Sequence, residues 1–323
     1  MRHVLCLTAA MLFLGQAAWC QVDPKVIYGD DNRVDLYQVK DKKILKLADS
    51  TLALFEGAGI SVDPATQVAT LPTESYGQGM SLCKEEPFYD QVNGAFCSGS
   101  LVAPNVIMTA GHCVKSQDAC TGTKFVFGFA VKKEGQMPTT VPASEVYSCS
   151  QLLGREQVGT GADWALVKLD RPVKGHTPLV LNKKSEPANK TPLFVIGHPA
   201  GLPTKVAGGA TVRDASPKGY FVANLDTYGG NSGSAVFNAY TGLVEGILVR
   251  GENDYVWQGS CRVSQKCPAD GCRGEDVTEV GAVLATLPPK GPAKTRVVPI
   301  GQALETTLEK LAAKTPDFDT ARP

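Results

Sequence analysis

The sequence has no surplus charge of either sign. Lys and Arg number 32, Asp and Glu 32, and the formal net charge is zero. That balance offers nothing to attract nucleic acid or an anionic membrane as a partner. Beyond the first twenty residues no run is long and apolar enough to span a bilayer. There is no internal repeat and no low-complexity segment, which removes solenoid and fibrous architectures. Helix-length patterns are scarce, and 33 Gly with 21 Pro break the chain into short pieces that favour strands and turns. Only four histidines are present, at positions 3, 112, 176 and 198, so candidate bases are few. No recognisable calcium loop is present, and no cofactor is implied.

The chain's start and its cysteines point to one compartment. Residues 1–20 read as a secretory signal: Arg2 and His3 are basic, residues 4–14 are apolar, and small residues at Ala18 and Cys20 suit cleavage before Gln21. The bulky Trp19 argues against a lipoprotein site at Cys20. The mature chain is therefore expected to be soluble and either secreted or periplasmic. Losing Cys6 and Cys20 with the signal leaves Cys83, Cys97, Cys113, Cys120, Cys149, Cys261, Cys267 and Cys272. An even number in an exported chain implies four disulfides, whose pairing spacing alone does not choose. Cys261, Cys267 and Cys272 crowd one late stretch, so at least one must pair outside it. Their spacing does not suit a zinc knuckle, and no metal site is expected.

Chemistry concentrates in three stretches. In Asp226-Thr227-Tyr228-Gly229-Gly230-Asn231-Ser232-Gly233-Ser234 a serine sits between glycines, on a loop between apolar runs. Gly230 and Gly233 allow tight turns that can aim the Gly230 and Ser232 N–H groups at one point, where an oxyanion could be stabilised. Alone, such a loop is more often a plain turn between strands. Upstream, Thr109-Ala110-Gly111-His112-Cys113 follows a strand-like run, and Asp163-Trp164-Ala165-Leu166-Val167-Lys168-Leu169 follows later. A serine hydroxyl needs an adjacent base. A lone histidine is usually a satisfied core residue, and a lone aspartate a turn carboxylate. Neither His176 nor His198 has comparable context, and His198, in Gly197-His198-Pro199, reads as structural.

Taken together and in this order, the three motifs resemble those of the chymotrypsin-like serine proteases. The Gly-Asn-Ser-Gly-Ser loop resembles in particular the bacterial glutamyl-endopeptidase-like, or V8-like, branch. The resemblance spans residues 97–251, about half the chain. It implies an all-β fold of two six-stranded antiparallel β-barrels with the active site between them, followed by a C-terminal α-helix. It implies a His112, Asp163, Ser232 triad, with Gly230 and Ser232 supplying the oxyanion hole, and a disulfide between Cys97 and Cys113. The expected activity is hydrolysis of peptide bonds through an acyl-enzyme, by a monomer acting on protein or peptide substrates. The rival reading is a non-catalytic protein-binding or adhesin module on the same scaffold. An esterase of the α/β-hydrolase type is disfavoured, since Ser234 replaces the second glycine of the Gly-x-Ser-x-Gly elbow and the triad order differs.

Specificity stays open. In zymogen-activated trypsin-like members an aspartate precedes the nucleophile and pairs with a new N-terminus; Asn231 cannot form that pair. Thr227 matches a pocket threonine of the glutamyl endopeptidases, but their pocket histidine falls near Leu248, which cannot donate. Asp226 stands where trypsin-like members hold a basic side chain, and Arg250 could neutralise it or meet an acidic substrate. Basic, acidic and neutral preferences all remain, with basic slightly ahead.

The expected layout has an N-terminal extension over 21–87, read as a belt on the catalytic domain or a propeptide. The protease domain follows over 88–316, with barrels over 88–172 and 173–316, and a loose tail over 317–323. Strand-like stretches fall at 44–47, 52–55, 96–108, 124–131, 141–146, 164–169, 193–196, 206–212, 220–225, 234–237, 243–249 and 280–285. Residues 300–313 carry the one clear helical pattern, with Leu304, Leu308 and Leu311 on one face.

Overall fold

A computed structural model describes residues 26–288, apart from 185 and 252. The expected signal at 1–20, the helix at 300–313 and the tail at 317–323 lie outside the described residues.

Short strands rich in branched and aromatic residues close on themselves twice. The first barrel runs in the order Thr123–Phe127, Val146–Gln157, Asp163–Leu169, Val106–Thr109, Cys97–Ala103 and Thr51–Glu56, which pairs back with Thr123–Phe127; every pairing is antiparallel. Alternation along Thr51–Glu56 shows why both faces are buried. Leu52 and Leu54 join the core shared with Ile107, Phe125 and Phe127. Ala53 and Phe55 turn outward onto a second cluster with Ala69 and Val141. That cluster is covered by a small sheet of Ser61–Asp63, Val68–Thr70 and Thr140–Pro142.

The second barrel runs Pro192–Gly197, Ala235–Asn238, Val244–Arg250, Glu275–Glu279, Tyr220–Ala223 and Lys205–Asp214, and closes where the last pairs with the first. Leu193, Val195, Val212, Phe221, Val236 and Val277 fill it. Two six-stranded antiparallel barrels are thus present, as the resemblance implied.

Three local expectations are corrected. Residues 44–47 belong to the helix Lys42–Ala48, because Ile44 and Ala48 bury one helical face while Asp41 caps its start through the Lys43 N–H at 2.7 Å. Residues 281–284 form a one-turn helix, and the sixth stave of the second barrel is Glu275–Glu279, a charged run that the apolar pattern passes over. Part of the stretch 21–87, expected as a belt or propeptide, supplies strands to the barrels. Thr51–Glu56 is a stave of the first, and Arg33–Asp35 adds a strand to the second along Lys205–Ala207. The expected boundary at residue 88 therefore moves upstream. Lys205 and Asp35 form a buried ion pair at this seam, at 2.7 Å, with Gln91 Oε1 also 2.8 Å from the ammonium. Burial pulls Lys205 down to about 8, against the pull of Asp35.

Eight cysteines form four disulfides: Cys83–Cys261, Cys97–Cys113, Cys120–Cys149 and Cys267–Cys272. Cys261 is the member of the late trio that pairs outside it. The Cys83–Cys261 link closes the longest loop of the four and ties the early chain to the hairpin of Tyr255–Gln258 and Cys261–Cys267.

His176 is a local hinge of stability. Its ring stacks on Phe127 at 4.3 Å, with Nε2 2.8 Å from Glu145 Oε2. Nδ1 lies 3.1 Å from Asp49 Oδ2, a charge contact without good hydrogen-bond geometry. Burial opposes its charge, but the Glu145 hydrogen bond and the charges of Asp49 and Glu145 win and raise it from 6.5 to about 9. A raised histidine contributes stability that is complete below pH 6.5 and lost as pH climbs through about 9. Urea unfolding of His176→Gln should therefore show a loss of about 1–2 kcal/mol at pH 6, discounted for the exposure of Asp49, and a smaller loss at pH 9.5. A loss independent of pH would assign the site to ring stacking alone.

Candidate active site

Adjacent staves of the first barrel bring His112 to Asp163. Thr109, at the end of Val106–Thr109, pairs with Ala165, so the turn after one strand meets the start of the next. His112 Nδ1 lies 2.8 Å from Asp163 Oδ2, and the His112 backbone N–H donates to Asp163 Oδ1 at 3.0 Å. Asp163 is buried, while the His112 side chain is 29 % exposed. Burial pushes the Asp163 carboxyl up, but the His112 ring and the His112 and Gly111 amides outweigh it and hold it below its ordinary range. Two further groups steady the pair, and sequence reasoning passed over both. Arg155 donates Nε and Nη2 to the Gly111 carbonyl at 3.1 and 3.0 Å. Thr278, from the second barrel, accepts the Asp163 N–H at 3.0 Å and donates to its carbonyl at 3.2 Å. Nothing near either residue in sequence signals this role, since both act across strands.

The serine loop lies between Tyr220–Ala223 and Ala235–Asn238 of the second barrel. Gly230 and Gly233 have φ of +90° and +91°. A side chain at Gly230 would sit 2.6 Å from the His198 carbonyl, and one at Gly233 would collide with Ser98 O and Thr109 Oγ1. Only glycine fits both the conformation and the space. Ser98 of the first barrel grips the loop: its N–H donates to the Ser232 carbonyl at 2.8 Å and its hydroxyl to the Gly230 carbonyl at 2.8 Å. Among the described residues, neither the Gly230 nor the Ser232 N–H donates to a protein acceptor. Asn231 is buried, and its Oδ1 accepts from Ser234 Oγ at 3.2 Å. His198 is wholly buried, with Nδ1 3.0 Å from the Leu202 carbonyl. Burial holds it down at about 4, so it is neutral and structural.

His112, Asp163 and Ser232 line one cleft of about 760 Å³, together with Leu248, Arg250, Gly229 and Asp254. The other two expected pocket residues do not reach it. Asp226 is 3 % exposed and Thr227 1 %. The Asp226 carboxylate instead accepts the Tyr28 N–H at 2.8 Å and the Asn32 N–H at 3.0 Å. Burial and the neighbouring Asp31 push its carboxyl well above the ordinary range, against those two donors. Asp226 is thus not placed to receive a basic side chain. Arg250 does line the cleft but does not neutralise Asp226. Its Nε donates to Asp276 at 3.0 Å and its Nη2 to the Gly161 carbonyl at 2.7 Å. Asp276 also takes Arg273 Nη2 at 2.6 Å.

Residues 97–247 match the family model described as a trypsin-like peptidase domain. Chymotrypsin-like elastase family member 3A from Homo sapiens is 31 % identical over 106 residues, 31 % of this chain and 38 % of its own. Glutamyl endopeptidase from Bacillus licheniformis is 28 % identical over 149 residues, 44 % of this chain and 45 % of its own. Extracellular metalloprotease from Bacillus subtilis is 26 % identical over 187 residues, 56 % of this chain and 58 % of its own. The chain spans less than half the length of the first two. Fold, family match and relatives make the chain similar to the chymotrypsin-like serine proteases, with a link to the V8-like branch. The name of the third relative prompts a look for a metal site. Among the described residues, the one close grouping of suitable side chains is Cys97, His112 and Cys113. Its two sulfurs are joined to each other, leaving one nitrogen to offer.

The glycine at 233 gives a direct check on this architecture. Gly233→Ala should destabilise the protein by more than about 2 kcal/mol, through both positive φ and collision with Ser98 and Thr109. Denaturant unfolding measures this, and a change under half that size would mean the loop relaxes freely.

Proposed function

We propose that the protein is an exported serine endopeptidase that cleaves peptide bonds through an acyl-enzyme, with His112, Asp163 and Ser232 as its triad. The observation that carries this reading is the 2.8 Å contact between His112 Nδ1 and Asp163 Oδ2, made at the edge of the cleft that Ser232 also lines. Asp163 fixes the imidazole tautomer, leaving Nε2 free to take a proton. The Ser232 hydroxyl attacks the scissile carbonyl carbon as its proton passes to His112. The Gly230 and Ser232 N–H groups receive the charge that develops on the carbonyl oxygen. His112 then returns the proton to the departing amine, which leaves as the C–N bond breaks. Water, deprotonated by the same histidine, releases the acyl group and restores Ser232.

Four disulfides support export, because such bonds persist in oxidising compartments. The substrates are proteins or peptides that lie across the cleft between the barrels. Arg250, already paired with Asp276, shapes the wall of that cleft more than it adds free charge.

Digestion of a denatured protein mixture, read by mass spectrometry, tests the reading. Ser232→Ala should lower kcat by at least about 10⁴-fold with unchanged thermal unfolding, and Asp163→Asn by about 10⁴-fold through the wrong histidine tautomer. Substantial turnover by Ser232→Ala would remove the triad. A second measurement concerns metals: 1,10-phenanthroline and EDTA should leave cleavage unchanged, whereas a serine-directed sulfonyl fluoride should abolish it. Inhibition by the chelators alone would reverse the assignment.

A further inference from the structure

The serine loop is held at both ends, and the two ends are held differently. Beyond Ser232 the grip comes from the barrels: Gly233 N–H donates to the Leu248 carbonyl at 2.7 Å, and the Ser232 carbonyl accepts from Ser98. Before Ser232 the barrels hold the Gly230 carbonyl through the Ser98 hydroxyl, and a second grip comes from the early chain. Asp226 reaches across 198 and 194 positions to the amides of Tyr28 and Asn32. Those amides belong to a segment pinned on either side. Val26–Tyr28 runs parallel to Gln265–Cys267, with the Gly29 N–H on the Cys267 carbonyl at 2.8 Å, and Arg33–Asp35 is a strand of the second barrel's edge. The stretch between them is drawn across the back of the loop.

A second contact reinforces the first. Arg33 is buried, held by Asp31 through Nε at 2.8 Å and Nη2 at 2.7 Å. Its guanidinium lies 4.1 Å from the centre of the Tyr228 ring, a stacking geometry that attracts cation to ring face. The Tyr228 carbonyl in turn accepts the Asn231 N–H at 3.0 Å, in the turn that presents Ser232.

We infer that Asp226 is a positioning residue, whose buried carboxylate fastens the segment 28–32 to the serine loop and so holds Ser232 and the Gly230 amide in place for reaction. The inference rests on the serine peptidase reading and adds a part of the chain to its machinery. A segment some two hundred positions upstream becomes a brace for the nucleophile. The brace uses backbone amides, so it needs no free amino group to be generated by cleavage. It also answers the question raised by Asn231, which cannot make an ion pair with a new N-terminus. Asp226 acts through the loop and touches no substrate.

The purified protein is compared with Asp226→Asn and Asp226→Ala. Asparagine keeps the size but turns one acceptor into a donor facing an amide N–H. Three readouts are taken: steady-state cleavage of peptides with Lys, Glu, Leu or Phe before the scissile bond, the fraction of sites sulfonylated by a sulfonyl fluoride with loss of fluoride, and hydrogen exchange by mass spectrometry. The expected result is a fall in kcat of about 10–100-fold on every cleaved peptide, as small misplacements of a reacting group produce. KM and the ranking of substrates should stay nearly as in the wild type. Exchange should quicken together in peptides covering 27–33 and 226–234, and nowhere else. A loss confined to Lys peptides would overturn the inference and return Asp226 to specificity. A lower unfolding temperature with unchanged kcat per titratable site would overturn it too, leaving a brace of stability only. If the wild type cleaves nothing and takes no sulfonyl fluoride, the peptidase reading itself fails. The exchange comparison still reports, on the folded protein, whether Asp226 couples the two segments. Should Asp226→Ala fail to fold, Asp226→Asn, which retains one acceptor, carries the comparison.

Discussion

The contact on which the rest of the structure depends is made by one small side chain, Ser98. It is fully buried at the seam between the barrels. Its backbone N–H and hydroxyl hold the Ser232 and Gly230 carbonyls, its own carbonyl accepts from Thr109 Oγ1 at 2.7 Å, and its hydroxyl also accepts the His198 N–H at 2.9 Å. One residue thereby joins the strand leading to His112 with the loop carrying Ser232. Each of these groups is cut off from water, where an unpaired donor or acceptor costs about 1–3 kcal/mol, so the register between barrels has one low-energy setting. The neighbouring Cys97–Cys113 disulfide closes the same strand onto the histidine turn. Thr278 does from the second barrel what Ser98 does from the first, by pinning both backbone groups of Asp163.

Around this seam several buried charges are joined in ion pairs. Asp35 meets Lys205, Asp31 meets Arg33, and Asp276 meets two arginines. Such pairs recover little net stability after desolvation, but an unpaired member would be strongly destabilising. Their effect is therefore to specify which segments lie together. They cluster where the early chain crosses the second barrel and where Glu275–Glu279 enters it. The staves that look least like strands in sequence are held by charge as well as by apolar packing. His176 shows the same principle in the first barrel, where two carboxylates make a half-buried imidazole favour its charged form while its ring stacks on Phe127.

Much of the candidate site is legible because it is local. Gly230 and Gly233 flank Ser232 within three positions, and the backbone they require is written in those residues. The continuous apolar runs of Val106–Thr109 and Asp163–Leu169 read as strands, and both are staves buried along nearly their whole length. The long strand Val146–Gln157 was read only at its start. It is half exposed and carries Gln, Gly, Arg and Glu, whose partners lie on other strands. Residues 44–47 were taken for a strand because four residues cannot show a helical period, whereas Ile44 and Ala48 show it once the burial is known. The early chain was read as an extension because nothing local reveals that Thr51–Glu56 completes a ring begun seventy residues later.

Specificity shows where local reading stops. Asp226 and Thr227 were assigned to a pocket from their distance to Ser232 along the chain. That distance does not say which way a side chain turns, and both turn inward, away from the cleft. Leu248 and Arg250 line the cleft, but the partners that occupy Arg250 are Asp276 and Gly161, not Asp226.

By itself, then, the sequence determined the class of fold, the three chemical motifs with their order, and an even set of cysteines, because strand periodicity, glycine conformation and disulfide parity are properties of neighbouring residues or of composition. Tertiary structure alone decided which cysteines meet, where the barrels begin, which carboxylates face the cleft and which are sealed behind it. Those outcomes depend on contacts between segments up to 247 positions apart, where the balance of desolvation against pairing is settled only when the chain has closed.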